Sequence, residues 1–518
     1  MFSRSVVRWR GAAALLLAVL PLIASAAEDK TFSVAALRAD LELLRTALHQ
    51  AHPGLTRYAS ERELRRAFAN AEQALDSPGT EIDLFRAIAP VLATIRDDHT
   101  FALPSAAYWR ERFGPMSFSQ KNGAGDLALF PLFITVQGGR LYVTHDNSAE
   151  PAIARGTEIL RIDGRPVRDV LRRLERALPT SGFSRTRPAR SLEQFDLHQE
   201  YNLWCVYYAL MIGTPERFVL QVRATPDART ATVTAPALRA AAIWENFRAR
   251  ASTSDALLAR DRPMRLTYPA ADTALLSLSS FHTWRWRRDK LDFRRDIAAV
   301  FRELADRGMA KLIVDLRGNE GGDAGIAIEV LGFLARRPFQ VYDYKEVMSN
   351  HFPALRAHVR NPDGLANLAD ELFEPAAGGR LRIKTDLPEE TWSRPMDPAA
   401  PQFAGQLWIL ADGATGSAAA QLATLVRVNR PDAVFVGEES GGDMEGPISG
   451  SYLELVLQNT GIRVDIPILK KVMHLGGYRH GRGRGVPADH PITPSQADIA
   501  QGRDAALAFT LRETAGAR

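Results

Sequence analysis

Two short runs of this 518-residue chain carry the residue types of a reaction centre. The first is Asp412-Gly413-Ala414-Thr415-Gly416-Ser417-Ala418-Ala419-Ala420-Gln421-Leu422. The apolar run Leu407-Trp408-Ile409-Leu410 before it reads as a buried strand, and residues 418–428 read as a helix. Ser417 then stands where a strand turns into a helix N-terminus. Unpaired backbone N–H groups and roughly half an elementary charge gather at such a point. A serine oxygen there has a stabiliser for developing negative charge beside it. The competing reading is structural, with Thr415 or Ser417 capping the helix.

The second run is Asp315-Leu316-Arg317-Gly318-Asn319-Glu320-Gly321-Gly322-Asp323, again between a buried strand (311–316) and a helix (324–335). Its glycines let a backbone approach a ligand with N–H groups exposed. A tight strand–helix turn is the plainer alternative. A phosphate loop does not fit, because no Lys-Ser or Lys-Thr follows the glycines.

The elements that must position these runs follow from periodicity. Val34, Leu37, Leu41, Leu44 and Leu48 recur at helical spacing after Ser33, and residues 61–75 and 82–95 read as two further helices. That segment ends in Arg96-Asp97-Asp98-His99-Thr100. Short strands follow from 129 to 143, and then a hairpin turning at Asp163-Gly164. Residues 180–212 interrupt that module, and strands at 218–222 and 231–233 close it. From about 262 the pattern is α/β, with helices expected at 287–306 and 324–335 and a last one through 498–512. Residues 338–403 are proline-rich and weakly periodic, and read as a surface insertion placed to act as a lid.

Composition sets the class. The chain is 46% hydrophobic and 24% charged, an ordinary globular balance, and its length suggests about three domains. Arg4, Arg8 and Arg10, an apolar run over 11–23 and Ala24-Ser25-Ala26 read as a secretory signal peptide. Setting those arginines aside lowers the net charge from +5 to about +2, which does not argue for nucleic acid. No further run is long enough to span a membrane, and no cysteine near the cleavage point invites a lipid, so a periplasmic or secreted location is expected. Cys205 is the sole cysteine, so no internal disulfide forms, and its aromatic neighbours suggest a buried thiol.

The motifs resemble a family. Asp-Leu-Arg-Gly-Asn-x-Gly-Gly, a Thr-x-Ser-Ala-Ala segment about a hundred residues on, Val436-Gly437-Glu438, and Gly485-Val486-Pro487-x-Asp489 look like the tail-specific (C-terminal-processing) serine peptidases. The run Gly156-Thr157-Glu158-Ile159-Leu160-Arg161-Ile162-Asp163-Gly164 resembles the core of a PDZ domain, without its usual carboxylate loop. The resemblance implies a multidomain α/β (α+β) protein. Its expected parts are a signal peptide (1–26), a helical segment carrying His99 (27–110), a PDZ-like β-rich module (111–260) and a catalytic core of ClpP/crotonase-like type (261–518).

It also implies roles. Ser417 matches the nucleophile, and Ala418 with Gly321 or Gly322 would supply the oxyanion donors. One branch of the family uses a lysine base, but Asp443 occupies that position here. The other, tricorn-like branch uses a histidine, and His99 stands where it should be. The acid that orients this histidine is missing from its usual place, leaving Asp98, Glu439 or Asp443 to substitute. Asp315, Arg317 and Asn319 are expected to shape the glycine loop. The run 479–484 reads as a solvated basic loop, or else as a site for an acidic substrate group. No metal or cofactor is implied. The expected activity is an exported serine endopeptidase acting on peptide or protein substrates, of undefined oligomeric state. The alternatives are a catalytically silent peptide- or lipid-binding member and a hydrolase of non-peptide acyl compounds.

Overall fold

The computed structural model describes residues 30–113, 127–193, 195–196, 201–252, 256–360 and 369–516. The expected signal segment and residues 361–368 of the expected insertion lie outside them. Ser33 caps helix α1 (Val34–Ala51), and Leu37, Leu41, Leu44 and Leu48 form its buried stripe. Ser60 and Thr80 open α2 (Glu61–Gln73) and α3 (Glu81–Ile95) with capping boxes. At the end of α3, Arg96 adopts a left-handed conformation (φ 61°) and redirects the chain through residues 97–100 into strand β1 (Phe101–Leu103).

An antiparallel sheet follows, in the order β6-β5-β4-β3-β2. Its strands are β2 (Leu132–Gln137), β3 (Arg140–Asp146), β4 (Glu158–Ile162), β5 (Arg217–Arg223) and β6 (Ala231–Pro236). Asp163 and Gly164 turn at φ 49° and 75°, the left-handed pair a two-residue hairpin requires. The interrupting segment supplies α5 (Arg187–Leu192) and α6 (Leu203–Met211), after α4 (Val167–Glu175). Cys205 is buried in α6, where burial pushes its thiol pKa up and its Sγ donates to the Phe130 carbonyl.

The second half holds a sheet of β7 (Met264–Ala270), β8 (Thr273–Leu278), β9 (Lys311–Asp315), β10 (Gln406–Ala411) and β11 (Val434–Gly437), extended by His490–Pro491. β7 pairs antiparallel and the others parallel. Helices α7 (Phe293–Asp306), α8 (Ala324–Leu334) and α9 (Ser417–Asn429) cover it, as parallel crossovers demand.

Three expectations need correction. The helix expected from 287 starts at Phe293, because Lys290 turns at φ 59° and Asp292 forms a new cap, accepting from Arg295 N at 2.9 Å. The last helix is two, α10 (Gln496–Gln501) and α11 (Ala505–Gly516), broken by Gly502 at φ 65°. The region 338–403 is not simply an irregular surface insertion. Its strand Tyr342–Val347 lies inside a four-stranded sheet, with Tyr342 and Val347 buried.

A three-stranded sheet ties the halves together. Strands β12 (Tyr452–Val456) and β13 (Arg463–Pro467) form a hairpin, and β1 adds to its edge with Val464 opposite Ala102. Leu453, Leu455, Val464 and Ile466 pack into the same core as α1 and α3. By sequence these residues fall in the catalytic part, yet they bury against the N-terminal helices. β14 (Lys470–Met473) then returns to pair with Tyr342–Val347.

Candidate active site

The site is built where the two glycine-bearing turns meet. Asp412 Oδ1 accepts from Ala414 N and Thr415 N within its own turn, and from Gly318 N of the other, at 3.0–3.1 Å. Gly416 N donates to Asn319 O (2.9 Å), and Asn319 Nδ2 to Leu278 O (2.9 Å). Arg317 forks between Asp315 and Asp504, with its closest contact to each at 2.7 Å. Asp315, Arg317 and Asn319 thus hold the glycine loop in shape, as expected, and Asp412 joins it to the serine's turn.

Ser417 opens α9 but does not cap it. The N-cap is Gly416, and Thr415 Oγ1 donates instead to Leu316 O (3.0 Å). Ser417 adopts φ 45°, a left-handed conformation that costs a non-glycine residue on the order of 1–3 kcal/mol. The turn aims Oγ at His99, whose Nε2 lies 3.1 Å away across 318 residues of sequence. Ala418 N–H, in the first turn of the helix, has no acceptor four residues back within it. Gly321 packs directly on this turn: a Cβ there would come within 2.7 Å of Ala418 N and of Ser417 Cβ. Its own N–H, however, is engaged by Asn319 Oδ1 (2.9 Å). Gly322, the other glycine expected as an oxyanion donor, is held at φ 130° against the Phe281 backbone.

His99 is set in a buried carboxylate frame. Asp98 Oδ1 lies 3.1 Å from its Nδ1, close but off the ring N–H direction, and Asp97 Oδ1 lies at 3.7 Å. Asp97 in turn accepts from His52 Nε2 (3.1 Å), Thr100 Oγ1 (2.5 Å) and His99 N (3.3 Å). Gly54 N donates to His52 Nδ1, which fixes the tautomer so that Nε2 carries the proton toward Asp97. Asp98 accepts from Ser181 Oγ (2.6 Å) and pairs with Arg187 (3.2 Å).

Burial opposes charge on His99, but Asp98 and Asp97 outweigh it and raise the imidazole pKa well above 6.5. Burial likewise opposes charge on both acids, yet His99, with His52 at Asp97 and Arg187 at Asp98, holds them below the ordinary carboxylate range. The donor atoms of Asp97, Asp98 and His99 cluster within 4.8 Å, a spacing that suits a cation. The carboxylates are already taken by hydrogen bonds, and the Arg187 guanidinium at Asp98 opposes a second positive charge there.

Of the three acids expected to orient His99, Asp98 alone adjoins it. Glu439 instead holds the following loop, accepting from Arg484 Nε (2.9 Å) and Gly485 N (2.8 Å). Asp443 faces Arg57 (3.4 Å) and Gly446 N (3.1 Å). The basic run is partly tied down as well: Arg484 grips Glu439, and Arg482 donates to the Arg57 carbonyl. Sequence reading did not single out His52, Asp97, Ser181 or Arg187. Asp97 lay inside a quoted motif, but nothing local marked the others.

Residues 272–476 match the model of peptidase family S41. That region is an S41 serine peptidase domain. The S41 region contains Ser417, both glycine turns and the β12–β13 hairpin, while His99 comes from outside it. Among solved structures, mature CPAF aligns over 90% of this chain and 94% of its own, at 15% identity and a TM-score of 0.56. Mature CPAF complexed with lactacystin aligns over 93% and 97%, at 15% identity and 0.57. At that identity the likeness is one of fold, and it spans the N-terminal segments as well as the S41 domain. No curated protein matches the chain.

Proposed function

We propose that this S41 peptidase is an exported endopeptidase that works through an acyl-enzyme on Ser417 with His99 as general base. The observation that carries the reading is the 3.1 Å approach of His99 Nε2 to Ser417 Oγ at a helix N-terminus. Neutral His99 takes the hydroxyl proton as Oγ attacks the scissile carbonyl carbon. Ala418 N–H and Gly322 N–H face the oxyanion. As the tetrahedral adduct collapses, the C–N bond breaks and His99 passes its proton to the leaving amine. Water, deprotonated by His99, then attacks the ester carbonyl, and as the C–Oγ bond breaks His99 returns that proton to Ser417 Oγ. Asp98 takes the orienting place next to His99. The β2–β6 module, PDZ-like in sequence, would sit upstream of the site as a substrate-handling part.

Export rests on the basic, apolar and small-residue segment ahead of residue 27. Among the described residues no helix is long and apolar enough to cross a membrane. A second reading, a silent binding protein on the same scaffold, is favoured by one observation: Asp98 and Asp97 oxygens lie 3.1 and 3.7 Å from His99 Nδ1 and favour its protonated form.

Labelling with a fluorophosphonate separates the two. Wild type should label, and Ser417→Ala should not. His99→Ala should label at least a hundredfold more slowly. A folded wild type that fails to label from pH 7 to 10 excludes the peptidase reading and leaves the binder.

A further inference from the structure

We propose that Lys471 selects a carboxylate on the substrate close to the scissile bond, an inference that rests on the peptidase reading. Three lysines line the sheet formed by β14 and Tyr342–Val347. Lys345 pairs with Glu390 (2.8 Å), and Lys470 with Glu346 (2.7 Å), which also holds Arg380 (2.6 Å). Lys471, opposite Lys345 in register, makes no side-chain ion pair or hydrogen bond among the described residues, only backbone ones. Its ammonium lies beside Gly450, where a Cβ would come within 2.8 Å of Nζ, and 6.0 Å from the Tyr342 ring centre.

Buried contacts connect that position to the serine's helix. Tyr342 OH donates to Gln421 Oε1 (2.5 Å), and Gln421 lies one helical turn beyond Ser417 on the same face of α9. Asp323, which acts on Lys471 electrostatically, caps α8 directly after Gly322. Lys471 thus adjoins Tyr342, which bonds the first turn of the serine's helix, and it feels the charge of the residue that follows the glycine turn. Burial and the Lys345 charge lower its pKa to about 8, leaving most of it charged at neutral pH. Glu390, which pairs with Lys345, and Asp323 act on Lys471 only from beyond contact distance; a half-buried ammonium with no carboxylate in contact is costly, and each neighbouring lysine has one. A substrate carboxylate supplies what is missing, either from an Asp or Glu side chain or from a chain terminus.

The test digests a mixed peptide library, with free and with amidated C-termini, and reads the cleavage sites by mass spectrometry. Wild type should favour a carboxylate at one fixed position by about tenfold, the scale of one desolvated ion pair. Lys471→Met should flatten that preference, Lys471→Arg should keep it, and Lys471→Glu should turn it toward Lys and Arg. Survival of the preference in amidated peptides assigns it to a side chain, and its loss there assigns it to the terminus. Wild type that cuts without any carboxylate preference overturns the inference, as does a preference unchanged in Lys471→Met. The wild-type profile decides even if a variant fails to fold. A wild type that cuts no peptide overturns the peptidase reading itself.

Discussion

His99 sets the terms at the residue scale, because its neighbours make it basic. Two carboxylates raise its pKa and favour the protonated ring, in which Nε2 would donate to Ser417 rather than accept from it. Nucleophilic attack needs the neutral ring, so fluorophosphonate labelling should rise with pH along a limb centred above 7. Asp98→Asn removes the largest charge acting on the ring and should move that limb down toward 6.5. A wild-type rate already level from pH 6.5 upward would contradict this frame. Stability runs the other way. A raised histidine pKa means the pairing stabilises the fold fully below about 6.5 and loses that contribution as pH climbs through the raised value. The depressed acids contribute above their ordinary 3.8 and lose it as pH falls below. The site thus stabilises the fold most between those limits and reacts best above them. Ser417 and the glycine turn were legible in sequence because strand, turn and helix are contiguous there. His99 was reached only through a family resemblance. Ser181 and Arg187 gain a role only once a third distant segment folds over Asp98, and no local pattern announces that.

Among the elements, the β12–β13 hairpin explains how a histidine and a serine 318 residues apart come to touch. β1 begins two residues after His99 and adds to β13. The far end of the hairpin is anchored by Asp40 on α1. This fully buried carboxylate accepts from Asn459 N (3.0 Å) and Nδ2 (2.8 Å) and from Thr460 N (2.9 Å) and Oγ1 (2.7 Å). Hydrogen bonds to a charged partner are worth roughly 1.5–3 kcal/mol each and are not additive, so Asp40→Ala should destabilise the protein by about 3 kcal/mol or more. Urea unfolding would show it, with exposed Glu42→Ala as a control expected within about 0.5 kcal/mol. A loss under 1 kcal/mol would mean the anchor is dispensable. Helices and parallel strands were readable because long apolar periodicities specify them. The strand Tyr342–Val347 was not, since Asp343, Lys345 and Glu346 break its apolar pattern and their partners come from β14 and the rest of the insertion. The split of the last helix at Gly502 was missed for a different reason, because residues on both sides have ordinary helix propensity and one glycine decides the outcome.

For the whole molecule, the matched S41 region and the working unit differ in extent. The family match covers 272–476, yet the hairpin inside it buries Leu453, Leu455, Leu457, Ile462, Val464, Ile466 and Ile468 in a core otherwise built mainly from residues before 250. Cutting the chain at 260 would expose those side chains, an apolar patch large enough to drive association. It would also free the edge of β13 and remove His99. The fragment 261–518 should therefore be poorly soluble and should not label with fluorophosphonate at any pH. Supplying the fragment 27–260 during refolding should restore both solubility and labelling, because β1 can re-pair with β13 and return His99 to Ser417. Labelling by 261–518 alone would mean that the S41 region activates its serine from within, and His99 would lose its place in the mechanism. Recovery of solubility without labelling would separate the two functions of the N-terminal part: covering the apolar hairpin would need only the helices, while reactivity would need the 318-residue contact at full precision.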